Sequence, residues 1–219
     1  MRFKELFPGV YSIDGKVATK NLVRGRRVYS EELITVEGQE YRLWTPYRSK
    51  LSAAIMNGLK NFEIRSGGHV LYLGASTGTT PSHVSDIVGL NGRVYCVEFS
   101  ERMMRELLIL CEARGNMLPI LEDARNVENY SGIVEQCDIL YQDVSAREQA
   151  EILKKNSRFL KAGGLAYFAI KSQSIDVTKP PKDVYRVELE KLADTFQVLE
   201  KISLEPYDNA HLFVVLRKK

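Results

Sequence analysis

Cysteine is scarce in this chain: there are three in 219 residues, Cys96, Cys111 and Cys137, and none forms a C-x-x-C pair. That argues against a disulfide framework and against paired thiolate metal ligands. Two of the three fall inside apolar runs and read as reduced core thiols of a cytosolic protein. Long hydrophobic runs are missing as well. None approaches the ~20 residues needed to span a bilayer, and Met1-Arg2-Phe3-Lys4-Glu5 has no apolar signal core. The expectation is a cytoplasmic protein with no membrane partner. Nor is either charge in large excess: 31 Lys and Arg against 28 Asp and Glu give a net charge of +3. Such a balance permits an anionic partner without demanding one. No repeat or low-complexity segment is visible, so the length suits one sizeable domain with a small appendage.

One further absence is local. From Val70 to Phe99 the chain reads strand, Gly-rich turn, helix, strand, and ends on an acid. Val70-Leu71-Tyr72-Leu73 is a short apolar run of the kind buried on both faces. Gly74 and Gly78 bracket Ala75-Ser76-Thr77, and Thr79-Thr80-Pro81 opens a helix with a hydroxyl able to cap it. A second apolar strand, Arg93 to Val97, closes on Glu98. The dinucleotide fingerprint needs a middle glycine, which Gly74-x-x-x-Gly78 lacks, and no Lys-Ser/Thr pair follows to make a phosphate loop. What remains is a tight backbone approach to a ligand without pyrophosphate, beside a carboxylate able to bind a ribose diol. S-adenosylmethionine, a nucleoside with an amino-acid tail, fits that description.

Residues 1–50 have a different texture. Two hairpins are predicted, one turning at Asp14-Gly15 and one at Glu37-Gly38, which together make a small antiparallel β domain. Between them, Arg24, Arg26 and Arg27 read as a solvated loop or as phosphate contacts. Arg48 and Lys50 stand at the start of the next helix, where helix electrostatics do not favour cations, so a functional role is expected of them. Residues 51–219 then alternate strands and helices, with Ser100 a candidate N-cap. This pattern predicts a mostly parallel sheet covered on both faces. The last two strands are joined by Glu205-Pro206-Tyr207-Asp208-Asn209, too short for a parallel crossover, so they pair antiparallel. The fold expected is α/β: a Rossmann-like methyltransferase sheet of seven strands with an antiparallel last strand.

Ligands of open α/β sheets bind beyond the carboxyl ends of the strands. Here those ends carry Gly74, Glu98, Asp123, Asp143 and Lys171 in turn. Glu98 suits the ribose diol. Asp123, with the amide of Ala124, suits an adenine edge, and Asp143 suits an ammonium group or the orientation of a lysine. Lys171 is the candidate for orienting a reacting hydroxyl or taking its proton, with Lys50 as a second cation nearby. Alignment supplies most of the acceleration, since a sulfonium methyl needs little activation. His69 and His83 read as solvated.

Several stretches resemble the fibrillarin family: Arg48-Ser49-Lys50-Leu51, Val70 to Thr80, Ser82 to Gly89, Val97-Glu98-Phe99-Ser100, Glu122-Asp123-Ala124-Arg125, Gln142-Asp143-Val144, Ile170-Lys171, and Leu204-Glu205-Pro206-Tyr207 with His211. The likeness runs from about Pro46 to Lys219. Without a Gly/Arg-rich tail, the chain resembles the short archaeal form. The resemblance implies guide-directed 2'-O-methylation of ribose in rRNA or tRNA, with S-adenosylmethionine as donor. It puts the family's catalytic Lys-Asp-Lys-His set on Lys50, Asp143, Lys171 and His211. It puts cofactor contacts on Gly74, Ala75, Thr79, Thr80, Glu98, Phe99, Asp123, Ala124 and the turn Asp143-Val144-Ser145-Ala146. The family usually continues Asp-Val-Ala-Gln in that turn, so here only main-chain contacts survive at its end. The implied partners are a box C/D guide RNA, a Nop-family scaffold protein and a kink-turn-binding ribosomal-type protein; a homodimer stays open. No metal is expected.

Competing readings differ in chemistry. A non-catalytic assembly subunit would keep the fold without needing the strand-end acids and both lysines. A small-molecule O-methyltransferase would commonly hold a divalent metal in an acidic cluster, and no such cluster is evident. A nicotinamide dehydrogenase would need the missing glycine.

Overall fold

The computed structural model describes residues 1–219. Two hairpins organise the first part, and each turns on a residue pair with positive φ: Asp14 and Gly15 at 48° and 84°, Glu37 and Gly38 at 50° and 78°. Two-residue loops of this hand match the twist of the flanking strands. They join β2 (Val10–Ile13) to β3 (Lys16–Lys20) and β4 (Leu33–Val36) to β5 (Gln39–Leu43). A strand that the pattern did not reveal, β1 (Phe3–Phe7), extends this sheet to five strands in the order β1-β2-β3-β5-β4. Its residues from Phe3 to Leu6 are all exposed, so they carry no alternation of apolar and polar positions.

A short helix α1 (Lys50–Met56) leads into a seven-stranded sheet. The strands are β6 (His69–Leu73), β7 (Arg93–Glu98), β8 (Met117–Leu121), β9 (Cys137–Gln142), β10 (Leu160–Lys171), β11 (Phe196–Ser203) and β12 (His211–Lys218). Their order is β11-β12-β10-β9-β6-β7-β8. Only β12 runs against the rest, pairing antiparallel with both β10 and β11. The connecting helices are α2 (Thr79–Val88), α3 (Glu101–Arg114), α4 (Gln149–Asn156), α5 (Ser172–Ile175) and α6 (Pro181–Lys191). None is long and apolar enough to cross a membrane.

Both sheet faces are buried, and strand β6 shows why its sequence reads as continuously apolar. Val70 and Tyr72 belong to one core with Leu51, Val84 and Ile87, whereas Leu71 and Leu73 belong to the other with Ile152, Leu153 and Leu189. Alternate residues of a strand face opposite ways, so a sheet covered on both sides leaves no polar positions. The five-stranded sheet enters the first of these cores through Val10 and Val17, joined by Trp44 just after β5.

Local signals were mostly kept, with physical exceptions. Ser100 caps α3 by accepting from the Met103 amide, and Gly115 ends that helix at φ 69°. At α2 no hydroxyl caps; the N-cap is Gly78 at φ 90°, where a Cβ would lie 2.3 Å from Leu110 Cδ2. After Lys171, Ser172–Ile175 form α5, and α6 begins at Pro181. All three cysteines are free and buried.

The largest departure concerns His83, which is fully buried rather than solvated. Its ring stacks on Trp44 at 4.7 Å and bonds Thr19 Oγ1 and Tyr29 Oη, each at 2.7 Å. Burial, then the charges of Arg42 and Arg114, push its pKa well below the usual histidine value, so the ring is neutral. Around it, Arg42 bonds Glu31 at 2.6 Å and Asp86 at 2.8 Å, and Arg114 also bonds Asp86. This buried network ties the first sheet to α2 and α3. His69 is half-buried, with Nδ1 3.5 Å from Glu135.

Candidate active site

Parallel strands that end together present their following residues along one rim, and the rim here is built from backbone outward. Asp143 donates its amide to the Leu73 carbonyl at 2.9 Å, which locks the end of β9 beside the end of β6. Gly74 lies so near that a Cβ would come 2.8 Å from the Asp143 carbonyl oxygen, and its φ is 80°. Only glycine meets both demands. Gly74 and Ala75 in turn donate to the Val97 carbonyl, and Glu122 donates to that of Glu98. The rim is therefore continuous from β8 to β9.

A cavity of about 600 Å³ opens on this rim. Its lining includes Gly74, Glu98, Phe99, Asp123, Ala124, the Asp143 to Ala146 turn and Lys171. Glu98 is buried, and its two oxygens accept the Ser76 and Ser100 amides at 2.8 Å each. The carboxylate thus pins two loops together and keeps unused lone pairs for a diol. A bidentate ion pair with Arg125 holds Asp123 below the usual carboxylate range. Phe99 is 73% exposed at the cavity edge, an apolar face open to a flat ligand. Ala75, Thr79 and Thr80 fall outside the lining; Thr80 is buried and donates its hydroxyl to Ser49 at 2.9 Å.

The charged cluster at one end of this cavity draws on four segments. Asp143 Oδ1 lies 2.9 Å from Lys171 Nζ and 3.1 Å from Lys50 Nζ. These are close ion pairs without hydrogen-bond alignment at that oxygen; Lys50 bonds Oδ2 at 3.3 Å. Lys171 Nζ also donates to the Asp143 carbonyl at 2.8 Å and to Ser145 Oγ at 3.1 Å. Its ammonium is fixed from three sides at the wall of the cavity. Lys50 starts α1, and its place there is explained by Asp143 rather than by the helix.

Sheet register supplies the histidine. Lys171 and His211 are directly opposed across the β10–β12 pair, so their side chains leave the same face. His211 Nδ1 lies 2.5 Å from Asp208 Oδ1, and Asp208 Oδ2 lies 3.7 Å from Lys50 Nζ. Burial works to raise the Asp208 carboxyl, but the His211 bond and the charges of His211, Lys50 and Lys171 outweigh it and hold its pKa below normal. Asp208 is the member of the cluster that sequence reasoning missed. Its one available signal was an acid three residues before His211, in a loop with no periodicity. The set Lys50, Asp143, Lys171 and His211 is therefore brought together, with Asp208 bridging two of its members. No group of three or more His, Cys, Asp or Glu side chains is arranged to hold a metal ion.

Comparison with known proteins agrees in extent and in fold. The fibrillarin family model matches residues 1–219. The fibrillarin-like rRNA/tRNA 2'-O-methyltransferase of Thermococcus gammatolerans is 52% identical over 221 residues, covering 98% of each chain. The crystal structure of Aeropyrum pernix fibrillarin with natively bound S-adenosyl-L-methionine is 46% identical, with a TM-score of 0.88 over 95% of this chain and 94% of that one. A fibrillarin crystallised in complex with Nop5p is 39% identical, with a TM-score of 0.91 over 99% of this chain and all of that one. With the seven-stranded sheet, its single reversed strand and a match along its whole length, this chain belongs to the fibrillarin family.

Proposed function

We propose that this protein transfers a methyl group from S-adenosylmethionine to the 2'-oxygen of a ribose in rRNA or tRNA. The target is selected by a box C/D guide RNA, within a particle that also holds a Nop-family scaffold protein and a kink-turn-binding ribosomal-type protein. The relative from Thermococcus gammatolerans bears that activity in its name, and the related structures hold S-adenosyl-L-methionine in one case and Nop5p in another. In this reading residues 1–50 form a small β unit and residues 51–219 the transferase unit.

The donor set along the rim fits the cofactor. Glu98 would take the ribose hydroxyls, Asp123 and the Ala124 amide the adenine edge, and Phe99 one face of the base. The turn from Asp143 to Ala146 would offer backbone amides and carbonyls to the remainder. When bound, S-adenosylmethionine supplies an electrophilic methyl carbon. The chain's part is to align an oxygen with it. Lys171 is fixed by Asp143 and Ser145, so as the ammonium it can hold a ribose hydroxyl in one orientation and, only as the neutral amine, receive its proton. Lys50 and Asp208 keep Asp143 and His211 in place beside it.

The single observation that carries this reading is the position of Lys171 Nζ: 2.9 Å from Asp143 and on the wall of the cavity that Glu98 and Asp123 line. The test is guide-directed methyl transfer in a reconstituted particle. Lys171→Ala is expected to lose about 10²- to 10⁴-fold in transfer rate, while calorimetry still detects cofactor binding. Full activity in that variant would remove Lys171 from the reaction. A wild-type chain with no cofactor affinity would instead indicate an assembly subunit.

A further inference from the structure

A hydroxyl that becomes an ether must release a proton, and the contacts of Lys171 make it a poor place for one. As the ammonium it has three hydrogens. One goes to the Asp143 carbonyl at 2.8 Å, one to Ser145 Oγ at 3.1 Å, and one is left for a ribose oxygen. The charge also faces Asp143 Oδ1 at 2.9 Å, an ion pair that the neutral amine would forfeit. Lys50 is engaged in the same way, 3.1 Å from Asp143 Oδ1 and 3.7 Å from Asp208 Oδ2. Neither ammonium has a lone pair to give. One imidazole stands within reach. His211 faces Lys171 across the β10–β12 pair, where opposed side chains have Cβ atoms about 4.5–5.5 Å apart. Its side chain is 22% exposed against 12% for Lys171, so a hydroxyl held by the ammonium can also meet the ring. The other two histidines are elsewhere: His69 begins β6, at the end of the sheet away from the rim, and His83 is enclosed beside Trp44.

The ring is set by its own loop. Nδ1 lies 2.5 Å from Asp208 Oδ1. Burial acts to raise the Asp208 carboxyl, yet the His211 bond and the charges of His211, Lys50 and Lys171 hold it below the usual range, so it is ionised. An ionised carboxylate only accepts, so Nδ1 carries a hydrogen, and in the neutral ring Nε2 keeps its lone pair. Between the two residues, Ala210 takes a φ of 59°, a left-handed conformation that strains a residue with a Cβ. Its carbonyl accepts from the Ser172 hydroxyl at 2.9 Å, and Asn57, after α1, donates to the Ser203 and Glu205 carbonyls at 2.7 and 2.8 Å. These anchors keep the turn that folds Asp208 back onto His211. Charged groups reach this pair from each neighbouring element: Lys50 from α1, Asp143 from β9 and Lys171 from β10. The two lysines balance the two aspartates. Tyr185 of α6 stands near enough to feel both Asp208 and the exposed Glu205.

We propose that His211 is the proton acceptor of the methyl transfer and Asp208 its positioning residue, while Lys171 stays an ammonium throughout. The proposal rests on the methyl-transfer reading of this site and assigns the proton which that reading leaves open. The ribose O–H bond breaks with its electron pair kept by oxygen, and the proton passes to Nε2 of His211. Oxygen bonds the methyl carbon, and the pair of the broken carbon–sulfur bond stays on sulfur. Positive charge thereby moves from the sulfonium to an imidazolium beside the Asp208 carboxylate, and water takes the proton once the product leaves.

Two measurements test this, one of them independent of turnover. With three histidines in the chain, nitrogen NMR of the full-length protein can follow each ring, and His211→Gln identifies the His211 signals. Where that ring is neutral, the wild type is expected to carry its hydrogen on Nδ1. Asp208→Asn should move it to Nε2, because an amide there can donate to Nδ1, and Asp208→Glu should keep it on Nδ1. The second measurement is single-turnover transfer in the reconstituted particle. Asp208→Asn should slow it by about 10²- to 10⁴-fold at saturating RNA and cofactor, the usual contribution of a positioned base. The concentrations needed for half-maximal rate should stay within about twofold of wild type, since ground-state binding is untouched. Asp208→Glu should recover most of the loss. In the wild type the rate should rise with pH in step with the neutral fraction of His211 read by NMR. A wild-type ring protonated on Nε2 alone would overturn the assignment, as would a slowed Asp208→Asn whose ring is unchanged. So would an Asp208→Asn particle that transfers at the wild-type rate, or a rate indifferent to the protonation of His211; both leave the transfer reading standing. A wild-type particle that binds RNA and cofactor yet moves no methyl would instead refute that reading, and the assignment with it.

Discussion

The buried cluster around Asp86 allows a stability prediction with a definite size. Asp86 has a fully buried side chain and accepts four contacts: Arg42 Nη1 at 2.8 Å, Thr19 Oγ1 at 2.8 Å, the Leu22 amide at 3.0 Å and a short bond from Arg114. Arg42 is likewise buried, and Arg114 nearly so. With Glu31 the four groups carry two charges of each sign, and His83 is held neutral. Asp86→Ala leaves two buried guanidinium groups facing one carboxylate. Removing one partner of a buried pair typically costs about 3–5 kcal/mol, because the remaining charge is stranded out of water. For a chain of this length each kcal/mol lowers the melting temperature by roughly 2–4 °C, giving a drop of about 6–20 °C. Asp86→Asn should do little better, since its amide protons face donors. Thermal unfolding followed by circular dichroism at neutral pH is the assay. Limited proteolysis should show the segment before Trp44 becoming cleavable first, because this cluster binds the first sheet to α2 and α3. A variant melting within a degree or two of the wild type would mean that the network is energetically idle, and the reasoning from burial would fail.

Two further outcomes are expected at the rim. Gly74→Ala must place a Cβ 2.8 Å from the Asp143 carbonyl at a φ of 80°, so the Asp143 turn has to move. Left-handed strain alone costs on the order of 1–3 kcal/mol, and cofactor affinity measured by calorimetry should fall at least about tenfold; undiminished affinity would show that the turn is free to shift. Asp208→Asn tests the second carboxylate through pH. A depressed native pKa stabilises above the unfolded value and loses that contribution as pH falls through the native one. The gap in urea midpoint between wild type and Asp208→Asn should therefore be present at neutral pH and close as pH falls below the usual carboxylate range. A gap independent of pH would deny Asp208 its ionised role.

The fold was legible in sequence wherever a local rule and the tertiary environment agree. Asp14-Gly15 and Glu37-Gly38 announce their hairpins because two-residue turns need positive φ whatever surrounds them. Ser100 and Gly115 delimit α3 for equally local reasons. Strand β1 escaped because an exposed edge strand has no buried face to impose alternation on Phe3-Lys4-Glu5-Leu6-Phe7. His83 was misread for the opposite reason. Its helix is covered on a side that only the folding of β3 and β5 over α2 creates, through partners 64 and 54 residues away at Thr19 and Tyr29. No window of sequence contains that contact.

The same division runs through the candidate site. Gly74, Glu98, Asp123, Asp143 and Lys171 were readable because a parallel sheet aligns the ends of its strands, and position in the alternating pattern is enough to find them. Asp208 was not, because it comes from a loop whose place is set by β12, the one strand that runs backwards. That reversal has a functional consequence. It sets His211 opposite Lys171 and carries Tyr207 and Asp208 to the seam where α1 begins. A sheet of parallel strands alone would supply the rim acids and a cofactor cavity, as many methyl-transfer folds require. In the reaction proposed above, the paired lysines and the histidine with its aspartate meet where β12 reaches the junction of the two sheets. On that reading, substitutions there should lower methyl transfer before they change how the cofactor is held.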